Sequence, residues 1–273
     1  MRLLAISDLH LRYESNRQAL SRLRAHPDDW LIVAGDIGES EELHHWALSL
    51  LSGRFARVLW TPGNHDLWSR PGRSGEPAGE VKYQRLVAIC RHYDVVTPED
   101  PYPLWTGPGG PAVIAPVFCL YDYSFGPAGL SRDQMLAWAA AGDVVAADEA
   151  LLSPDPHPSR DAWCAARCAA TETRLAEAAR QGPLVLVNHF PLRKDLVRLK
   201  RVPRYAPWCG TRRTEPWAKR FGVRIGVYGH LHIRGTHLRE GVRYEEVSLG
   251  YPRDWDGALG IEPYLREILP GPG

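Results

Sequence analysis

Side chains that bind metal ions or transfer protons stand directly after apolar runs at five places in the sequence. The five fragments are Asp8-Leu9-His10, Gly35-Asp36, Gly63-Asn64-His65-Asp66, Asn188-His189 and Gly229-His230-Leu231-His232. Open α/β sheets gather their ligands at the carboxyl ends of their strands. If each apolar run is a strand, the five fragments meet at one place although they are far apart in the sequence. Together they predict one composite site.

The donor atoms in these fragments suit divalent metal ions. Seven residues supply them: Asp8, His10, Asp36, Asn64, His189, His230 and His232. Carboxylate, amide and imidazole donors without a thiolate favour Mn²⁺, Fe²⁺ or Zn²⁺. Seven ligands are too many for one ion and fit two ions that share Asp36. The first ion would be held by Asp8, His10, Asp36 and His232, and the second by Asp36, Asn64, His189 and His230. Paired ions clamp a phosphoryl group and lower the pKa of a bound water, so the sequence predicts phosphoester hydrolysis.

His65 has no place in either ligand set. An imidazole beside a metal centre can donate a proton to a leaving group, and we assign this role to His65. Asp66 follows it directly in the sequence. We interpret Asp66 either as the residue that orients the His65 ring or as an acid of the turn.

Five of the seven ligand assignments have a purely structural alternative. Asp8 and Asp36 also fit caps of the helices that follow them. His230 and His232 also fit exposed histidines at a strand end, and Asn64 by itself is typical of a turn. The remaining histidines stand outside these fragments and receive no role: His44, His45, His92, His157 and His237.

An alternation of strands and helices positions the fragments. Apolar runs at residues 3–6, 30–34 and 56–61 predict buried strands, and helical spacing at 15–25 and 39–51 predicts the helices between them. Further helices are predicted at 80–93, 131–141 and 161–180, and further strands at 113–118, 183–187, 223–228 and, antiparallel, 242–249. This order predicts an α/β fold, a layered sheet with right-handed crossovers. Residues 1–273 are treated as one domain, with an irregular insertion at 119–160 and a frayed tail at 270–273.

Composition and charge exclude several classes of partner. The 273 residues carry a formal net charge of +1 without a long basic stripe, so nucleic acid is not an expected partner. No leader is recognised at the start of the chain, and no apolar run has the length that spans a membrane. The five cysteines contain no C-x-x-C pair and are expected to be buried free thiols, as in a reducing cytosol. We therefore expect a cytoplasmic protein.

A basic tract follows His189 within residues 190–216. The residues of this tract assigned to substrate binding are Arg193, Arg198, Arg201, Trp208 and Arg212. The tract is either a docking surface for an acidic partner or a solvated face without a partner. Trp208 is either a wall of the substrate pocket or a core residue.

The order of the fragments resembles the calcineurin-like metallophosphoesterase superfamily. D-x-H, G-D, G-N-H-D, a histidine after a strand, and G-H-x-H all occur between Asp8 and His232 in the order of that family. The resemblance implies a four-layer αββα sandwich, in which two mixed sheets are flanked by helices and the dimetal site lies between the sheets. It also implies the ligand assignment given above, and it places His65 at the family's proton-donor position.

Longer stretches resemble a branch of this superfamily, the bacterial phosphopantetheinyl hydrolases. These stretches are at residues 27–36, 120–125, 151–154, 160–164, 187–192, 208–211 and 248–255. The resemblance implies hydrolysis of the phosphodiester that joins phosphopantetheine to a serine of an acidic acyl or peptidyl carrier protein, so that holo carrier becomes apo carrier. The alternatives are a small-molecule or cyclic-nucleotide metallophosphoesterase and a non-catalytic interaction module on the same fold.

Overall fold

The computed structural model describes residues 1–70 and 75–271. The strands are β1 (Leu3–Ile6), β2 (His26–Val33), β3 (Phe55–Trp60), β4 (Leu104–Trp105), β5 (Ala112–Pro116), β6 (Leu184–Val187), β7 (Val223–Tyr228), β8 (Gly235–Arg239), β9 (Val242–Glu246) and β10 (Arg266–Leu269). The α-helices are α1 (Glu14–Ser21), α2 (Glu41–Ser52), α3 (Asn64–Leu67), α4 (Gly79–His92), α5 (Arg132–Ala140), α6 (Asp148–Leu151), α7 (Arg160–Ala178) and α8 (Trp217–Arg220). Short 3₁₀ helices occupy Lys194–Leu196, Pro203–Trp208, Arg212–Thr214 and Glu262–Tyr264.

The strands form two mixed sheets. The first sheet has the order β10-β1-β2-β3, in which β1, β2 and β3 are parallel and β10 is antiparallel to β1. The second has the order β4-β5-β6-β7-β9-β8, with a parallel centre and antiparallel strands at both edges. Single bridges, Ser7 to Ser248 and Leu59 to Val96, extend the pairing beyond the strands. The first bridge joins the end of β1 to the chain just after β9, at the place where the two sheets meet.

Alternating side chains build a separate apolar layer on each face of the sheets. Leu3 and Ala5 of β1 pack into one layer with Val185 and Val187 of β6, so this layer lies between the sheets. The neighbouring residues of the same strands point the other way and pack beneath the helices. Strands buried on both faces read as continuous apolar runs, which is why β1 and β6 could be predicted. The αββα sandwich predicted from the family resemblance is confirmed.

The structure refines several predicted elements. α2 begins at Glu41 instead of residue 39, because the Ser40 hydroxyl caps it by accepting a hydrogen bond from the Leu43 N–H at 3.3 Å. β9 pairs antiparallel with β8, as predicted, and parallel with β7. The segment 119–160 contains α5 and α6 between irregular stretches. Of the tail predicted to be frayed, residues 272 and 273 lie outside the described residues.

Two further observations concern the chain as a whole. The five cysteines are buried and unpaired, as predicted. Among the described residues, no helix combines the length and the apolar character needed to cross a bilayer.

Candidate metal centre and its cavity

Most of the predicted ligands stand on backbone that turns sharply at the end of a strand. Five of the seven have a positive φ: Asp8 (54°), His10 (43°), Asp36 (56°), His230 (71°) and His232 (52°). Residues other than glycine adopt this left-handed region rarely, and aspartate, asparagine and histidine do so most often. The turn redirects each side chain from the strand direction towards the seam between the sheets. Strained backbone of this kind concentrates at functional sites.

Two glycines are required where the backbone passes close to the predicted ligands. A Cβ added at Gly63 would overlap the Asp36 carboxylate, and one added at Gly229 would overlap the side chains of Ser7 and Asp8. The G-N-H-D and G-H-x-H fragments therefore begin with glycine because the neighbouring ligand occupies the space that a side chain would need.

Of the two roles predicted for Asp66, the structure agrees with the acid of the turn. Its carboxylate accepts hydrogen bonds from the backbone N–H groups of Asp36 (2.9 Å), Gly38 (3.1 Å) and Gly63 (2.9 Å). Nε2 of the buried His44 imidazole lies 3.2 Å from Oδ1 of Asp66. Asp66 thus fixes the turn that carries Asp36, and the prediction that it orients His65 is corrected.

Glu39 takes the position that was predicted for Asp66. Its Oε1 lies 3.4 Å from Nδ1 of His65. The backbone N–H of His65 donates to the Asp36 carboxylate at 2.9 Å, and its ring lies against Trp68 with 3.6 Å between ring centroids. Glu39 and Trp68 therefore hold the imidazole, and His65 is among the residues that line the cavity described below.

The first predicted ligand set forms a compact group. Nε2 of His232 lies 3.1 Å from Oδ1 of Asp8 and 3.1 Å from Nε2 of His10. Asp36 Oδ2 lies 4.0 Å from the same nitrogen of His10. The donor atoms of Asp8, His10 and His232 lie within 4.8 Å of one another, with Asp36 beside His10, and such a group of oxygen and nitrogen donors suits a divalent cation.

The second predicted set shares Asp36 with the first. Its Oδ2 lies 3.4 Å from Nε2 of His189. Oδ1 of Asn64 lies 3.2 Å from that nitrogen and 3.2 Å from Nδ1 of His230. One carboxylate oxygen thus belongs to both groups, as the predicted bridge requires. The residues present fit two divalent ions.

Outer hydrogen bonds orient the predicted ligands. Asp8 Oδ2 accepts from the hydroxyls of Ser7 (2.6 Å) and Ser248 (2.7 Å), which leaves Oδ1 towards His232. His189 Nδ1 lies 2.8 Å from the Ala34 carbonyl, and His232 Nδ1 lies 3.0 Å from Asp254. Partners of this kind set the tautomer and direction of a metal-binding imidazole.

Burial and the neighbouring charges act in opposite directions on the pKa values of this group. Burial lowers the pKa of His189, but Asp36 and Asp8 outweigh burial and raise that pKa to about 10. At His10 and His230 burial prevails, and the pKa values fall to about 4 and about 3. Burial raises the pKa of Asp36, but the surrounding imidazoles hold that pKa below its ordinary value. Ionised carboxylates beside neutral imidazoles favour a bound cation. Such a cation would displace the proton from an imidazole with a raised pKa, such as that of His189.

A cavity of about 860 Å³ opens on both ligand sets. Its floor includes Asp36, Asn64, His65, His230 and His232. Its walls carry apolar side chains (Val145, Ala146, Leu199, Val202 and Ile233) and basic ones (Arg198, Lys200, Arg201 and Arg253). Tyr205 stacks over His230 and Tyr251 over His10, with ring centroids 5.9 and 4.5 Å apart. The cavity therefore combines a polar floor that favours cations with walls that are partly apolar and partly basic.

The predicted substrate residues separate into two groups. Arg198 and Arg201, which we call the cavity arginines, line the cavity. Arg193 and Arg212, the distal arginines, are not among its lining residues. Arg193 pairs with Asp195 and Glu240, and Arg212 binds Ser124 and Glu215.

Trp208 is a buried residue and not a wall of the cavity. Its indole N–H donates to Glu149 at 2.8 Å. The pocket alternative for Trp208 is therefore corrected, and Tyr205, three residues earlier, lines the cavity in its place. Both residues belong to one 3₁₀ helix, and spacing within it did not show which ring faces the site.

Several residues around the centre were not found by sequence analysis. Glu39 stands three residues after Asp36, and its acidic type at that spacing was a usable signal. His44, buried on α2, and Asp148, buried at the start of α6, have no local sequence signal for a role near the centre.

Comparison with known proteins agrees with the fold. The family model for calcineurin-like phosphoesterases matches residues 1–234. The chain is 48% identical over 272 residues to the [acyl-carrier-protein] phosphodiesterase PptH of Mycobacterium tuberculosis, covering 98% of this chain and 83% of that relative. The crystal structure of the phosphopantetheinyl hydrolase PptH from the same organism superimposes with a TM-score of 0.93 at 48% identity, covering 99% of this chain and 96% of that one.

Proposed function

Because the chain belongs to the calcineurin-like phosphoesterase family, we propose that it hydrolyses the phosphodiester between phosphopantetheine and a carrier-protein serine. It is a metal-dependent phosphodiesterase that converts holo carrier to apo carrier and releases 4′-phosphopantetheine. The observation that carries the proposal is the pairing of two donor groups, shared at Asp36, with a cavity that is both basic and apolar. The relative named as an acyl-carrier-protein phosphodiesterase supports the choice of substrate.

Divalent ions held by the seven residues would neutralise charge on the phosphodiester and make a bound water more acidic. We assign the first ion to Asp8, His10, Asp36 and His232 and the second to Asp36, Asn64, His189 and His230, with Mn²⁺ or Fe²⁺ favoured over Zn²⁺ by the mixed oxygen and nitrogen donors. Asp36 would contribute its carboxylate to both positions. Its own orientation is fixed by the N–H group of His65.

His65 acts as the general acid in this scheme. Burial lowers the pKa of the imidazole, but the carboxylates of Asp36, Glu39 and Asp148 together raise it above its ordinary value. A raised pKa favours the protonated imidazole, the form that can give a proton to the serine oxygen. A P–O bond forms to the oxygen of water, which releases one proton to the solvent, while the P–O bond to serine breaks. His65 gives its proton to the leaving serine oxygen and regains one from the solvent after the reaction.

The walls of the cavity suit the two parts of the substrate. Apolar side chains beside the donor groups provide a surface for the aliphatic pantetheine arm. Val145, Val202 and Ile233 are 79%, 46% and 44% exposed at its mouth, where the cavity arginines also lie. A mouth that is both apolar and basic favours an acidic protein surface with an apolar centre, which is why we propose an acidic carrier protein as the partner.

A mass measurement tests the proposed function. The chain is incubated with Mn²⁺ and a purified holo acyl carrier protein, and the carrier is weighed before and after. The expected result is a loss of the phosphopantetheine mass and the appearance of free 4′-phosphopantetheine. Hydrolysis of a small chromogenic phosphodiester with no loss of mass from the carrier would favour the small-molecule phosphoesterase instead.

The proposed location is the cytoplasm. Five buried thiols without a disulfide are typical of a reducing compartment.

A further inference from the structure

Asp148 is a buried carboxylate beside the second ligand set, at the first position of the four-residue helix α6. The residue is 1% exposed. One of its oxygens, Oδ1, accepts hydrogen bonds from the side-chain amide of Asn64 at 2.9 Å and from the indole of Trp68 at 2.6 Å. A buried carboxylate is costly unless it is hydrogen-bonded, so its presence here calls for a role.

The bond to Asn64 determines which end of that amide faces the metal centre. Oδ1 of Asp148 also accepts from the Trp68 indole, which can only donate, so this oxygen acts as an acceptor and faces the NH₂ group of Asn64. The amide oxygen is then turned towards His189 and His230, at 3.2 Å from each ring nitrogen. Reversing the amide would place two N–H groups towards a cation and leave two oxygens facing each other. Asp148 therefore favours the one orientation in which Asn64 can be a ligand.

The hydrogen bond from Trp68 also links Asp148 to the proton donor His65. Trp68 lies against His65 with 3.6 Å between ring centroids, and its indole N–H ends on the same oxygen of Asp148. The carboxylate of Asp148 thus contacts both Asn64, a predicted ligand, and Trp68, which packs against the proton donor His65.

Helix α6 is itself held tightly. Glu149, the next residue, accepts hydrogen bonds from Tyr123 (2.8 Å), Arg132 (2.7 Å), Arg160 (2.9 Å) and Trp208 (2.8 Å). The guanidinium of Arg160 also donates to the backbone carbonyls of Asp148 and Glu149, at 2.7 and 2.9 Å. The carboxylate of Asp148 is therefore presented from a rigid support, which a residue that positions a ligand requires.

We propose that Asp148 is a positioning residue that turns the Asn64 amide oxygen into the metal centre and fixes Trp68 against His65. The inference rests on the proposed metal-dependent function, but metal binding tests it separately from hydrolysis of the carrier.

The first test measures Mn²⁺ binding by equilibrium dialysis and metal analysis. Asp148→Ala is expected to weaken the second ion by roughly 10–100-fold and to leave the first unchanged, as removal of outer-shell partners does elsewhere. Asp148→Asn is the conservative control, because its amide oxygen can still accept from both donors, and it is expected to bind close to the native level. Native-like binding of both ions by a folded Asp148→Ala protein would overturn the proposal.

Asn64→Asp gives a second test, in which affinity for the second ion is expected to change in opposite directions in two backgrounds. In the native chain this change places two carboxylates against each other and is expected to weaken the second ion. In the Asp148→Ala background the two oxygens of Asp at position 64 are equivalent, so no orientation is wrong and binding is expected to recover. The same direction of change in both backgrounds would refute orientation as the mechanism.

Two checks complete the experiment. Circular dichroism and a melting curve confirm that each variant is folded, and if Asp148→Ala alone fails to fold, Asp148→Ser replaces it in both tests. If the native chain itself binds fewer than two equivalents of Mn²⁺, the proposed dimetal centre fails, and the inference about Asp148 fails with it.

Discussion

Replacing His65 by alanine separates proton donation from metal binding. The substitution removes the imidazole but keeps the backbone N–H that donates to Asp36 at 2.9 Å. None of the seven predicted ligands is changed, so the metal content is expected to stay at the native level. General acids contribute about 10²–10⁴-fold to rate, equivalent to about 3–5 kcal/mol of transition-state stabilisation. A loss of this size in kcat is expected with holo carrier as substrate.

The leaving group makes this prediction specific. A serine alkoxide needs a proton as it departs, whereas a nitrophenolate is stable as an anion. Hydrolysis of a bis(nitrophenyl) phosphate by His65→Ala is therefore expected to fall by less than about tenfold, far less than hydrolysis of the carrier. Both rates are measured on one preparation whose metal content has been determined. Equal losses with the two substrates, or a fall in bound metal, would refute the assignment of His65 as general acid.

Three further predictions follow from the same geometry. Asp36→Asn is expected to reduce binding of both ions, because one oxygen lies in both ligand groups; metal analysis that returns two full equivalents would rule out the bridge. Glu39→Gln is expected to lower kcat and to move the alkaline limb of the pH–rate profile to lower pH. The reason is that Glu39 raises the pKa of His65, and His65 must be protonated to act as an acid. An alkaline limb at the native pH would contradict this role of Glu39. Reversing both cavity arginines to glutamate is expected to raise KM for the carrier on the order of tenfold and to change KM for a small ester little. The same reversal at the distal arginines is the control, and equal effects of the two pairs would exclude the cavity mouth as the docking surface.

The ligands could be predicted from sequence because the physics that places them is local. A buried strand that ends in a glycine, followed by residues that tolerate left-handed backbone, brings a side chain to the sheet edge without help from distant residues. Gly63-Asn64 and Gly229-His230 follow this pattern, and the structure brings both to the same seam. The edge strand β10 lacked such a signal, because its pairing with β1 joins residues more than 260 positions apart.

The role of Asp66 and the positions of the basic residues depend on tertiary structure. An aspartate next to a histidine is as compatible with binding backbone N–H groups as with orienting the ring, and only the fold shows that Asp66 does the former. The cavity arginines and the distal arginines have the same chemistry in the same tract. Among the described residues, Asp195 and Glu215 pair with the distal arginines, whereas the cavity arginines line the cavity.

The seam between the two sheets has a consequence for variants that never touch the substrate. Each predicted ion draws ligands from both sheets: Asp36 comes from the first, while His189, His230 and His232 come from the second. Metal–ligand distances can vary by only a few tenths of an ångström. A small shift of one sheet relative to the other would therefore change the coordination of both ions. The apolar layer between the sheets therefore helps to set the distances between the ligands. Substitutions within this layer are expected to change metal affinity even when every ligand is kept.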